Sequence, residues 1–198
     1  MAQSDLKNRL QEALAQPGRP STDFDLNKGV GVPAGRALRA AGVLVAVSAQ
    51  TETIFLTMRS AALKHHPGQI AFPGGKQDAG DPTTIDAALR EAEEEIGLPR
   101  SQVEVLGQMP GHETVTGFLM TPVIGLIHGD FTPVPEAGEV AEVFQVPLDH
   151  VTNPAHFLIQ SRRWQGRMRH YYTVPFGPYY IWGATGRILR ALADRTHK

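Results

Sequence analysis

Residues 65–99, HHPGQIAFPGGKQDAGDPTTIDAALREAEEEIGLP, carry the pattern on which the reading of the whole chain turns. A Pro-Gly-Gly turn at 73–75 is followed by Arg90 and then by Glu91, Glu93, Glu94 and Glu95, broken only by Ala92. Asp81-Pro82 offers a side-chain acceptor at an N-cap and proline at the first helical position. Gly97, with Pro99 two residues on, is a helix stop. The spacing therefore predicts a helix over about 82–96. Ile85, Ala88, Leu89, Ala92 and Ile96 recur at the helical period and form one apolar face. With Ile85 as origin and about 100° per residue, Glu94 falls near ~180°, Glu91 near ~240° and Glu95 near ~280°. Glu93 falls near ~80°, on the far flank of the apolar stripe. Three of the four acids share one side, and Glu91 and Glu95 stand one turn apart.

Like charges at that spacing repel by a few tenths of a kcal/mol per pair. An ordinary solvated helix face interleaves Lys or Arg, and here only Arg90 does so. The alternative to a solvated face is a cage for a hard divalent cation, since Mg²⁺ favours carboxylate oxygens and retains several waters. The glycines favour the cage. Phe72 is an apolar anchor, Pro73 a rigid turn residue, and Gly74-Gly75 allow close approach of a ligand to the backbone. A carbonyl there is placed to join a metal shell and the amides to face phosphate. No Gly-Lys-Ser/Thr follows, so the turn is not a P-loop.

Outward from this segment, the 198 residues suit one domain with extensions. Nineteen Lys and Arg against 20 Asp and Glu leave no basic field of the kind that holds nucleic acid or an anionic membrane. Neither is therefore expected as a main partner. The lack of cysteine excludes disulfides, thiolate metal sites and Cys nucleophiles. MAQSDLKNRLQEAL does not read as a signal peptide, and no apolar run approaches the ~20 residues of a membrane span. The expected location is the cytoplasm.

Leu6, Leu10 and Leu14 mark a short amphipathic helix, followed by a Pro/Gly-rich connector. Residues 1–35 are thus expected as a helical arm and linker, and 36–198 as a single domain. Within the connector, GVGVPAG at 29–35 nearly matches a dinucleotide-binding glycine pattern, but its spacing is wrong and Pro33 interrupts it. A buried strand is expected around Gly42–Val47, with ETIFLTMRS (52–60) as its hairpin partner. QVEVLGQM (102–109), LMTPVIGLIH (119–128) and EVFQVPL (142–148) read as further strands. A late hairpin within 162–183 and a closing helix over 184–195 complete an α/β or α+β pattern.

Arg90-Glu91-Ala92-Glu93-Glu94-Glu95-Ile96-Gly97-Leu98 resembles the second half of the Nudix hydrolase box, G-x5-E-x7-R-E-U-x-E-E-x-G-U. The first half departs from it. Counted from Gly75 the segment is one residue longer, and Pro82 stands where the box has Glu, leaving Asp78 or Asp81 to take that acid's role. Phe55-Leu56-Thr57-Met58-Arg59-Ser60, Gly68 and Phe72-Pro73-Gly74-Gly75 resemble the upstream motif of the coenzyme A pyrophosphatase branch. Lys64 stands where that motif has Arg, keeping the charge but losing the bidentate fork.

The resemblance implies a Nudix-type α/β/α sandwich with a mixed sheet. It implies Mg²⁺- or Mn²⁺-dependent hydrolysis of a nucleoside diphosphate derivative, with coenzyme A giving 3′,5′-ADP and 4′-phosphopantetheine. The alternatives are a Nudix hydrolase of another substrate such as ADP-ribose, or a silent binding module. By the same resemblance Glu91 and Glu95 are metal ligands, with Glu94 a third ligand or a water-orienting base. Arg90 orients a ligand carboxylate, and the general base lies among Glu94, Glu113 and Glu139. Arg59, Lys64, Gly74 and Gly75 are the expected substrate contacts. His65-His66 read as loop histidines, and RRWQGRMRH (162–170) as a solvated hairpin in preference to an RNA site. Trp164, Tyr171, Tyr172 and Tyr179 to Trp182 are either core aromatics or an adenine-stacking wall.

Overall fold

The computed structural model describes residues 2–27, 35–164 and 166–196, without the side chains of Ala2, Gln3 and Trp164. Most of the connector read as linker (28–34) and the Trp164 ring thus lie outside the described residues. In chain order the elements are α1 (Ala2–Ala15), β1 (Ser21–Thr22), β2 (Arg39–Ser48), β3 (Thr53–Arg59), β4 (Ile70–Ala71), β5 (Gly74–Lys76) and α2 (Thr84–Ile96). There follow β6 (Val103–Gln108), β7 (His112–Glu113), β8 (Phe118–Ile127), β9 (Val140–Pro147), α3 (Leu148–Thr152), β10 (Leu158–Trp164), β11 (Arg167–Thr173) and α4 (Gly183–Thr196).

The main sheet runs β1-β7-β8-β2-β3-β4, with β6 also on β8, β5 on β2 and β9 on β3. β2 pairs with β8 in parallel over ten residues and with β3 and β5 antiparallel, so the sheet is mixed. Its central strand β2 explains the layering. Val43, Val45 and Val47 point into one core with Leu6 and Leu10 of α1 and Ile188 and Leu192 of α4. Leu44 and Ala46 point the other way, to Ala88, Ala92 and Ile96 of α2. A strand covered on both faces reads as a continuous apolar run, which is the pattern Gly42–Val47 shows. The result is the expected α/β sandwich.

The N-terminal helix is packed into the first of these layers. Leu6 and Leu10 are buried there. Arg195 of α4 donates to the carbonyls of Ala13 (3.1 Å) and Gln16 (2.9 Å), satisfying acceptors that the end of α1 leaves open. No described helix is long and apolar enough to cross a membrane.

The start of α2 differs from the sequence expectation. The N-cap is Thr83, two residues beyond Asp81, and its Oγ1 accepts from the Asp86 amide at 3.2 Å while Asp86 Oδ2 accepts from the Thr83 amide at 3.1 Å. This reciprocal box satisfies two orphan amides at once and so outcompetes Asp81-Pro82. The stop is as expected: Gly97 is left-handed (φ 72°) and its amide bonds back into the last turn. Gly42 lets α2 lie directly on β2. A Cβ at that position would overlap the Thr84 carbonyl oxygen and the Ala88 amide nitrogen, both backbone atoms. Gly42→Ala should therefore cost about 1–3 kcal/mol, the usual range for overpacking. Gly80→Ala, facing open space, should leave the urea midpoint in place. Equal midpoints for the two variants would contradict the close packing of α2.

Candidate active site

Two short-range constraints bring the Pro-Gly-Gly turn onto the acidic helix. β5 pairs antiparallel with β2, Gly74 opposite Val43 and Gly75 opposite Gly42, while Gly42 receives α2 on its face. The Gly74 amide then donates to Glu95 Oε2 at 3.1 Å. Gly75 lies against Glu91, so closely that a Cβ would overlap the carboxylate. Close approach to the β2 backbone requires glycine at 74, which also has φ 153°, whereas a side chain at 75 would displace the Glu91 carboxylate.

Along the helix the acids grade from buried to exposed. Glu95 is only 6% accessible, Glu91 is half-buried and Glu94 is exposed. Glu93, on the other flank, is exposed and 4.0 Å from Arg100. Burial pushes the Glu95 carboxyl up to about 7; the Gly74 hydrogen bond and the charge of Arg59 oppose the rise, and Glu91 and Glu139 add to it. Burial likewise raises Glu91, opposed by Arg90 and reinforced by Glu94 and Glu139. The helical rotation already held this result, since ~280° is beside the ~300° of buried Ala88.

Arg90 ties these groups to the loop before the helix. Its guanidinium bonds Asp81 (Nε to Oδ1 3.0 Å, Nη2 to Oδ2 2.9 Å), Glu94 (2.8 Å) and the Lys76 carbonyl (3.2 Å), and lies 3.0 Å from Glu91. Asp81 is buried, and the Arg90 hydrogen bonds together with the Asp78 amide hold its carboxyl below the usual range. Asp81, rather than the exposed Asp78, thus completes the Arg90 cluster. Asp78 pairs with Lys76 at 3.3 Å and reaches Arg90 only at 3.9 Å. Displacement of the cap to Thr83 is what frees Asp81, and the sequence signal was available in the Thr83/Asp86 spacing.

The other expected residues separate into two groups. Arg59, at the bulge ending β3, has a buried Nε with no hydrogen-bond partner, and its charge acts on Glu95. Glu139 is exposed, its charge acts on Glu91 and Glu95, and its carbonyl accepts from the Ser60 amide at 2.8 Å. These two join the carboxylates. Glu113 is engaged by Arg36 at 3.2 Å on β7. Lys64, His65 and His66 are exposed in the 60–69 loop, and among the described residues none of them bonds the glutamates. Of the aromatic wall, Tyr179 stacks on Phe144 (3.6 Å) and Tyr172 packs against the core. Tyr171, Tyr180 and Trp182 gather elsewhere.

Among the described residues no three His, Asp or Glu converge as a ready-made metal cage. Mg²⁺ does not need one: it commonly binds through one or two carboxylates and completes its octahedron with waters and substrate phosphates. Glu91 and Glu95, one turn apart and both disfavoured as bare anions by burial, fit that donor set.

The family model described as NUDIX domain matches residues 37–168. An uncharacterized Nudix hydrolase NudL of Photorhabdus laumondii is 36% identical over 195 residues, covering 97% of this chain and 96% of the relative. Its namesake in Pectobacterium atrosepticum is 42% identical over 157 residues, 78% of this chain and 81% of the relative. The crystal structure of the M. smegmatis Nudix hydrolase RenU aligns at 30% identity and TM-score 0.46 over 59% of this chain and 73% of that one.

The buried carboxyl has a pH signature in metal-free protein. Glu95 has an ordinary value of 4.5 and a folded value of about 7. Between these values the folded state holds a proton that the unfolded state has lost, so stability is full below 4.5 and falls as pH rises towards 7. In chelator, the urea midpoint should decline across that window, and Glu95→Gln should flatten the decline. Parallel profiles for the two proteins would show that Glu95 is not the group responsible.

Proposed function

Because the chain belongs to the Nudix family, hydrolases acting on pyrophosphate bonds, we propose that its substrate is coenzyme A, cleaved with Mg²⁺ or Mn²⁺ to 3′,5′-ADP and 4′-phosphopantetheine. One observation carries this reading: the stretch 55–75 that resembles the coenzyme A pyrophosphatase branch is built into the site itself. Gly74 and Gly75 seat Glu95 and Glu91, and Arg59 is the cation set against Glu95.

A divalent cation at Glu91 and Glu95 supplies charge neutralisation for the two phosphates and lowers the pKa of the attacking water. The chain's own residues supply position. Arg90, locked by Asp81, fixes the rotamers of Glu91 and Glu94 through charge-assisted bonds. Glu94 accepts from Arg90, and its role is to orient water or serve as a third ligand. Glu139 carries no cation partner among the described residues and its charge acts on Glu91 and Glu95, which makes it the better general base. Arg59 and the exposed Lys64 then read the phosphates.

A substrate screen analysed by product mass tests the proposal. Coenzyme A should have a much higher kcat/KM than ADP-ribose or nucleoside triphosphates, and dephospho-coenzyme A should be poorer where Arg59 or Lys64 reads the 3′-phosphate. Rapid cleavage of ADP-ribose with inert coenzyme A would move the assignment to that substrate.

A further inference from the structure

The hairpin β10–β11 stands outside the main sheet, and Thr173 at its end bridges antiparallel to Trp182; within the hairpin Gln160 stands opposite Tyr171 and Arg162 opposite Arg169. By the two-residue period of a strand, these four side chains share one face. Against that face stand Trp182 and Tyr180. The Tyr171 ring lies 5.1 Å from Trp182 and the Tyr180 ring 6.5 Å, the two Tyr hydroxyls are 3.3 Å apart, and the Arg162 guanidinium sits over the Trp182 ring at 4.2 Å.

This is not the geometry of an ordinary core cluster. Tyr179, one residue from Tyr180, shows what that looks like: stacked face to face on Phe144, with its hydroxyl committed to Glu142. Tyr180 is by contrast 43% exposed, Arg162 is exposed and Trp182 only partly covered. Three rings and a guanidinium left at the surface cost apolar hydration, and a flat aromatic ligand would relieve it.

The place of the panel suggests the ligand. Gly183, the next residue after Trp182, abuts the Gln69 side chain, and Thr185 Oγ1 donates to the Ile70 carbonyl at 3.0 Å. The Gln69 carbonyl in turn accepts from the Arg59 amide at 3.0 Å. The panel is thus anchored to the end of the loop whose other end carries the cation facing Glu95.

We propose that Trp182, Tyr180 and Tyr171, with Arg162, form a nucleobase-stacking subsite that receives the adenine ring of the substrate. The inference rests on the nucleotide-hydrolase reading for its ligand. Arg162 occupies one face of Trp182 in the free protein; on binding, the base takes the ring face and the guanidinium turns to phosphate. A single-base platform matches a mononucleotide. A polynucleotide needs successive rings along a groove.

The test uses the full-length protein, whose two tryptophans are Trp164 and Trp182. Titration with 3′,5′-ADP should quench tryptophan fluorescence saturably, whereas ribose 5-phosphate, which lacks the base, should not. Trp182→Phe should abolish the quenching while leaving the emission of Trp164. Tyr180→Ala should weaken 3′,5′-ADP binding by roughly tenfold, within the range for loss of one base-stacking ring, and the loss in turnover of an adenine-containing substrate should fall on KM more than on kcat. Unchanged quenching in Trp182→Phe, or no quenching in wild type, would overturn the subsite, even with coenzyme A hydrolysis intact. Persistence of Trp182 quenching in a protein that does not cleave coenzyme A would keep the subsite and refute the substrate. Affinity that climbs steeply with oligonucleotide length would replace the mononucleotide subsite with a single-stranded RNA surface.

Discussion

The Gly74 amide donating to the buried carboxylate of Glu95 is the contact on which the rest of the site depends. To form it, the Pro-Gly-Gly turn must lie against the last turn of α2, and α2 must lie on the middle of β2. That geometry forbids side chains at Gly42 and Gly74, where a Cβ would meet backbone, and at Gly75 a Cβ would displace the Glu91 carboxylate. It also requires small residues on the helix, and Ala88 and Ala92 are fully buried at the sheet. The apolar layer thus fixes the position of a charged group that burial alone would reject.

What results is an electrostatic imbalance. Glu91, Glu94, Glu95 and Glu139 influence one another, while Arg90 and Arg59 are the cations set against them. Arg90 divides its donors among Asp81, Glu91, Glu94 and the Lys76 carbonyl and makes no contact with Glu95. Buried Glu95 consequently prefers its proton near neutral pH in the absence of metal. A divalent cation held by Glu91 and Glu95, as proposed, would offset this repulsion with the Glu95 carboxylate already fixed by the Gly74 amide. Preorganisation of this kind keeps the reorganisation cost out of the chemical step.

Much of this was legible in residues 65–99. Helical periodicity placed Glu91, Glu94 and Glu95 on one side and Glu93 on another, because rotation per residue is fixed by backbone geometry. Gly97 read correctly as the stop for the same local reason. The helix start did not, since Asp81-Pro82 and Thr83/Asp86 are both valid signals, and the reciprocal box at Thr83 satisfies two amides and leaves Asp81 to Arg90. Short strands such as β4 and β5 carry too few residues for a period, and exist because β2 and β3 offer partners. Periodicity likewise marked Leu6 and Leu10 as apolar without saying that they join the core beneath the sheet. The separation of Arg59 and Glu139 from Lys64 and Glu113 depends on loop paths that no local pattern encodes.

Turnover of Glu95→Gln beside Glu93→Gln tests the central claim most directly. Glutamine keeps the shape of either side chain and removes one charge. If Glu95 holds the cation from its buried position, its variant should lose at least ~10²-fold in kcat, about 2.7 kcal/mol of transition-state stabilisation. Glu93→Gln, on the solvent flank beside Arg100, should stay within about twofold of wild type by the same conversion. Equal losses in two folded variants would contradict the assignment of the buried helix face as the metal-binding side.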